Sequence, residues 1–180
     1  MRLISLKGKR GSILFLALLI GICFSFFFIW RISQGNPLRG VIRGIPSVAH
    51  VTHVVDGDTL DVLFEGQHVR IRLIGVDTPE TVDPRKSVQC YGPEASAFTK
   101  AMLSDRDVTL SSKPDEDEDK YHRKLRYVSL DGKDVGSVLL EGGYAKSLCA
   151  RFPHPKCELY NELEAVAKGE KKGRWGRCTR

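Results

Sequence analysis

Residues 69–80 read VRIRLIGVDTPE, and the first five alternate strictly between apolar and charged. Successive side chains of an extended chain point to opposite sides, so Val69, Ile71 and Leu73 share one face of a strand and Arg70 and Arg72 share the other. The strand expected over 68–76 therefore buries one face and delivers Asp77, Thr78, Pro79 and Glu80 to the loop at its end. Upstream, residues 49–55 are rich in valine and end at an Asp56-Gly57 turn. Residues 59–64 alternate again, and Glu65-Gly66 marks a hairpin leading into the arginine-bearing strand.

Downstream, residues 93–104 place Ala95, Phe98, Ala101 and Met102 at helical spacing with Pro93 near the first turn. Two more strands are expected over 107–112 and 125–130, the second closed by Asp131-Gly132. A short helix over 135–142 ends at Gly142-Gly143, and a last helix spans about 156–168 with Gly169 near its end. Five short strands with segregated helices indicate an α+β, mainly β, fold. The order suits a five-stranded OB-fold Greek-key barrel with three helices, occupying 48–178. No internal repeat is visible.

The formal charge of +6 suggests a nucleic-acid coat until its distribution is read. Arg2, Lys7, Lys9, Arg10 and Arg31 lie in the first 35 residues, with no acid among them. The other 145 residues carry 23 basic and 22 acidic side chains. Bulk attraction to phosphate is therefore weak outside the N-terminus, and any nucleic-acid chemistry must come from a local site.

Ser12 to Trp30, SILFLALLIGICFSFFFIW, is 19 residues without a charge. As a helix it spans about 28 Å, close to the hydrocarbon core of a bilayer. The basic residues of segment 1–11 keep the N-terminus cytoplasmic and export the remainder of the chain. A retained single-pass anchor, expected at the cell membrane with the domain outside the cytoplasm, is preferred. The alternative is a cleaved signal and secretion, although Arg31 intrudes on the one approximate cleavage site. A lipoprotein is disfavoured because Ile22 before Cys23 is not small. Residues 31–47, punctuated by glycine and proline, form the expected linker.

Cys90, Cys149, Cys157 and Cys178 remain outside the apolar segment. In an exported domain four cysteines read as two disulfides with three possible connectivities. Cys149 and Cys157 flank a short loop and are the first pair, which leaves Cys90 with Cys178. Four free thiols in a reducing compartment are the alternative. Zinc binding through His154 is disfavoured, because no second ligand pair has the usual spacing.

Charged residues gather at strand ends. Asp56-Gly57-Asp58-Thr59 closes the first strand, Arg72 leads into Asp77 to Glu80, and Asp119 to Arg123 precedes the fifth. Carboxylates converging from separate strands suit a hard divalent cation, and nearby arginines suit a phosphate whose charge grows in the transition state. Asp-Gly-Asp alone is more often a turn. His50 and His53 fall on opposite faces and are not a metal pair. The acidic run 115–119 reads as a solvated loop.

The motifs VVDGDTLDV, RIRLIGVDTPET, YGPEASAFTK and DKYHRKLRYV, in this order and spacing, closely resemble the staphylococcal nuclease family from about residue 49 to 175. The resemblance implies an OB-fold barrel and a calcium-dependent phosphodiesterase acting on DNA and RNA, leaving 3′-phosphates, with little base specificity. Asp58 and Asp77 would ligate Ca2+ with the main-chain carbonyl of Thr78, and Asp56 would support them from behind. Arg72, Glu80 and Arg123 would be catalytic, and Lys120 and Tyr121 would contact a substrate phosphate. His122 departs from the glycine usual in the family. Cys149 and Arg151 stand where the prototype has tyrosines lining the nucleotide pocket, so weaker and more salt-sensitive nucleotide binding is expected; the alternative is that both are only loop residues in a remodelled, disulfide-closed edge.

A competing reading is an OB-fold module of nuclease ancestry that binds nucleic acid or protein without cutting. Retention of all five charged motif positions favours the enzyme, expected as a monomer. A scaffold whose membrane segment is the functional part is the least favoured reading.

Overall fold

The computed structural model describes residues 46–85, 87–113 and 117–178. The basic N-terminus at 1–11, the apolar segment at 12–30 and the linker as far as residue 45 lie outside them. Among the described residues no helix is long and apolar enough to cross a membrane.

Strands β1 (Ser47–Val54), β2 (Thr59–Phe64) and β3 (Gln67–Leu73) form an antiparallel meander, with Leu60 opposite Ile71 and Val62 opposite Val69. The short β4 (Val76–Asp77) comes next. Strand β5 (Asp107–Ser111) pairs with both β1 and β6 (Lys124–Leu130), each antiparallel. Parallel pairing of β3 with β6 closes the circuit, placing Arg72 opposite Leu125. The closed order β1-β2-β3-β6-β5 is that of the expected five-stranded OB barrel. Its interior holds Val51, Leu60, Val62, Ile71, Leu73, Val108 and Val128, all essentially inaccessible. Truncating one of the interior leucines to alanine costs about 2–5 kcal/mol.

Among the described residues three helices cover the barrel: α1 (Gly92–Leu103), α2 (Val135–Glu141), which succeeds the two-residue β7 (Lys133–Asp134), and α3 (Cys157–Gly169). Asp134 caps α2 by accepting from the Ser137 N–H at 2.9 Å. A single further turn, α4 (Arg174–Arg177), was not expected from sequence. Thr99 on the buried face of α1 donates to the Gly57 carbonyl at 2.9 Å, tying that helix to the β1–β2 turn.

The strand expected over 68–76 is not continuous. β3 stops at Leu73, and Gly75 takes a positive φ of 79°. Val76 and Asp77 then pair with β8 (Lys146–Ser147), outside the barrel sheet. The break turns Asp77, Thr78 and Glu80 off the barrel wall and toward the β1–β2 turn. Cys149 is bonded to Cys157, and Cys90 to Cys178.

Candidate active site

Asp58 is buried at the mouth of the barrel. Its Oδ2 accepts from the Thr78 main-chain N–H at 2.7 Å and from the Thr78 hydroxyl at 3.0 Å. This contact needs the β1–β2 turn to lie directly on Thr78. A Cβ at position 57 would fall 2.7 Å from the Thr78 side chain, so only glycine permits the approach. The Asp-Gly-Asp sequence is thus a turn and a carboxylate-placing device together.

Arg72 projects from the end of β3 with its side chain only 11% exposed. Its Nη1 donates to the carbonyls of Leu73 and Val76, both at 2.8 Å, which locks the guanidinium under the Gly75 turn. Nε stands 3.1 Å from Asp58 Oδ1, and Nη2 stands 3.4 Å from Asp77 Oδ1. Carboxylates from two elements therefore reach one guanidinium and face a common space. Asp77 also pairs with Lys146 at 3.0 Å. Behind them, Asp56 accepts from the Asp58 N–H at 3.0 Å. Burial, reinforced by the neighbouring Asp58 charge, pushes the Asp56 carboxyl up to about 6.

Glu80 is fixed by its own loop. Its Oε1 accepts from three consecutive main-chain N–H groups, those of Thr81, Val82 and Asp83, at 2.9 to 3.1 Å. Nothing in the residue order announces this nest.

Arg123 enters from the segment before β6. Asp119 grips it through both oxygens: Oδ1 accepts its main-chain N–H at 3.0 Å, and Oδ2 lies 2.8 Å from Nε and 2.7 Å from Nη2. Asp119 also accepts from the Tyr121 N–H. Burial opposes its charge, but these bonds hold its carboxyl below the usual range. Arg123 Nη1 reaches the Thr59 hydroxyl at 3.4 Å. His122 adopts a positive φ of 61° and turns outward onto Glu118 at 2.6 Å, so its bulk stays off the arginine. Of the acidic run expected to be a solvated loop, residues 115 and 116 lie outside the described residues and Glu118 is exposed, but Asp117 and Asp119 are half-buried and ion-paired. Asp119 holds Arg123, Asp117 pairs with Lys124 and Arg126, and Glu118 pairs with His122 and Lys124.

Asp56, Asp58, Arg72, Asp77, Glu80 and Arg123 line one cleft of about 600 Å³. Thr78 and Tyr121 also border it. Through Arg72, Tyr121 and Arg123 it adjoins a second cavity of about 420 Å³, where Lys120, Arg151, Phe152 and His154 lie. Tyr121 stands exposed at the junction, with Lys120 Nζ 4.9 Å from its ring centre. Arg151 lines the second cavity, whereas Cys149 is buried in its bond to Cys157.

Sequence reasoning assigned no role to Asp119 or Thr59 and did not single out Phe152. Asp119 stands four residues before Arg123, a spacing that signals an ion pair once the turn is known. Phe152 puts a half-exposed ring into the second cavity, with the Arg151 guanidinium 5.2 Å from its centre. The available signal was an aromatic residue directly beside Arg151.

The chain matches the family model described as staphylococcal nuclease homologue over residues 70–177. It is 34% identical over 168 residues to the thermonuclease of Staphylococcus hyicus, covering 92% of this chain and 94% of that protein. It is 43% identical over 120 residues to the thermonuclease of Staphylococcus intermedius, covering 67% of this chain and 68% of that one. An uncharacterized protein of Bacillus anthracis is 38% identical over 138 residues, 74% of this chain, and the match spans 64% of that relative's length. The matched region carries Arg72, Asp77, Glu80 and Arg123 within one cleft, and the chain belongs to the staphylococcal nuclease homologue family.

Proposed function

We propose that the chain is a calcium-dependent endonuclease that hydrolyses phosphodiester bonds of DNA and RNA with little base specificity, leaving 3′-phosphates. The observation that carries this reading is the convergence of Asp58, Asp77, Glu80, Arg72 and Arg123 on one cleft. Its relatives include two proteins named as thermonucleases.

The donor set fits a hard divalent cation. Asp58 and Asp77 already face a shared space occupied by one guanidinium edge, with the Asp56 carboxyl behind them. Oxygen-only ligands of this kind suit Ca2+. Asp58, Asp77 and the Thr78 carbonyl would hold the ion, and Asp56 would support Asp58. Bound there, calcium supplies neutralisation of a non-bridging phosphate oxygen.

The protein's own groups do the rest. Glu80 accepts a proton from the attacking water or orients it, its carboxylate held by three main-chain N–H groups. Arg72 and Arg123 stabilise the negative charge that builds as phosphorus becomes five-coordinate. Each is held by acceptors, so neither must reorganise during the reaction. Lys120 and Tyr121 contact a neighbouring phosphate. Contacts made through phosphate leave base edges unread.

The domain acts as a monomer outside the cytoplasm, tethered through residues 12–30. Membrane fractionation and N-terminal sequencing test the tether. Activity is tested by incubating the purified protein with plasmid and with RNA, in calcium or in chelator. Cleavage in calcium alone is expected. Binding without cleavage under any divalent ion would favour a non-catalytic module instead.

A further inference from the structure

Gln89 is an exposed residue that does not line the catalytic cleft. It nevertheless closes the loop that carries Glu80. The Glu80 N–H donates to Gln89 Oε1 at 3.1 Å, and the Gln89 N–H donates to the Glu80 carbonyl at 2.9 Å. These reciprocal bonds bring the two ends of segment 80–89 together. Between them the chain curls so that the N–H groups of Thr81, Val82 and Asp83 converge on Glu80 Oε1.

The closing side is itself anchored. Cys90, next in sequence, is bonded to Cys178 at the end of α4. That turn is fixed by the Arg174 N–H on the Gly143 carbonyl at 3.0 Å. The Gly92 N–H then returns to the Gln89 carbonyl at 3.0 Å as α1 begins. A Cβ at Gly92 would fall 2.6 Å from Thr81 Cγ2 and 3.1 Å from the Glu80 carbonyl, so the helix start presses directly on the clasped segment.

We propose that Gln89 is a positioning residue for the Glu80 carboxylate, with the Cys90–Cys178 disulfide as its covalent anchor. The inference rests on the reading of Glu80 as the group that acts on water. Loss of the clasp leaves Glu80 present but lets its loop uncurl, so the carboxylate samples orientations in which no water is held for attack. Placement errors of this kind reduce turnover rather than binding.

The test compares Gln89→Leu, which loses the acceptor, with Gln89→Glu, which retains one. Gln89→Leu is expected to lower kcat on single-stranded DNA about tenfold with KM unchanged, while Gln89→Glu retains at least about half of the parent kcat. Amide hydrogen exchange at Thr81, Val82 and Asp83 should accelerate in Gln89→Leu, with the β1, β2 and β3 amides unchanged from the parent. Equal kcat in Gln89→Leu and the parent, or equal losses in both variants, overturns the proposal. If the parent itself does not cleave, the nuclease reading falls. The clasp is then judged by exchange alone, and unchanged protection at residues 81–83 overturns it.

Discussion

Asp58 Oδ1 lies 3.1 Å from Arg72 Nε, so a carboxylate read as a metal ligand and an arginine read as catalytic meet inside the barrel mouth. Arg72 and Lys146 pair with Asp58 and Asp77, and Asp56 adds a third carboxyl group on the same wall. A hard divalent cation should therefore bind the native state and not the unfolded chain. At a concentration one hundred times its dissociation constant, such an ion stabilises by about 2.7 kcal/mol. Calcium is expected to raise the melting temperature, chelator to reverse the gain, and Asp58→Asn to abolish most of it. Equal melting of parent and variant with and without calcium would remove Asp58 from the metal site.

Replacing Glu80 by glutamine keeps the shape but removes the proton acceptor. It should leave folding and substrate binding intact and slow cleavage at least about a hundredfold. Arg123→Lys should be as damaging, because the Asp119 carboxylate and the substrate are met by a planar fork that an ammonium cannot reproduce. Single-turnover rates on a defined oligonucleotide check both. Cleavage at the parent rate by either variant would refute the role assigned to that residue.

The barrel was legible because its strands carry a period. Ile71 and Leu73 are buried, and Arg72 on the opposite face reaches the cleft, as strict alternation requires. The β4–β8 ladder was not legible, since two residues per strand leave no period to read. Within the site, the residue types at strand ends were visible but their supports were not. The nest around Glu80 is made of main-chain N–H groups, which every sequence possesses. Asp119 looked like one member of an acidic run until the turn before β6 folded it onto Arg123.

Both disulfides should contribute to stability, the contribution growing with the logarithm of the length of chain each closes. Cys149 and Cys157 are separated by 8 positions, Cys90 and Cys178 by 88. Chain entropy assigns them about 2.5 and about 4.6 kcal/mol. Reductant should therefore lower the melting temperature by at least about 10 °C, and Cys90→Ser with Cys178→Ser should account for the larger part. An unchanged melt under full reduction would contradict this.

His154 predicts a pH dependence of stability. Burial, with Lys113 and Lys156 adding positive charge and Asp134 opposing them, holds its imidazole below the usual value. Its ring also meets the Tyr127 hydroxyl at 3.0 Å and Cys149 Sγ at 3.2 Å. A lowered native pKa means that the unfolded chain takes up the proton first. Its contribution is therefore complete above about 6.5 and is lost as pH falls below that value. His50, exposed between Asp105 and Asp107, is shifted upward and acts in the opposite sense. Comparing the parent with His154→Gln across pH 5 to 8 isolates the buried group, and the variant should lose part of the acid-side decline. Parallel curves would assign that decline elsewhere.

The final prediction concerns the second cavity. Cys149 cannot present a face to a base while bonded to Cys157, and Arg151 instead stands at the cavity wall beside the Phe152 ring. A base stacked on an aromatic side chain gains about 1–3 kcal/mol, and Phe152 is placed to supply part of that. Arg151 adds a charge whose attraction to phosphate is screened by salt, and each neutralised phosphate on a single strand contributes about 0.7 to the logarithmic salt slope. Phe152→Ala should therefore weaken a nucleoside 3′,5′-bisphosphate at every salt concentration and leave the slope alone. Arg151→Tyr should lower the slope and strengthen binding at high salt, where stacking survives and charge attraction does not. Calorimetric titration at several salt concentrations separates the two. If Arg151→Tyr leaves both affinity and slope unchanged, Arg151 does not touch the ligand.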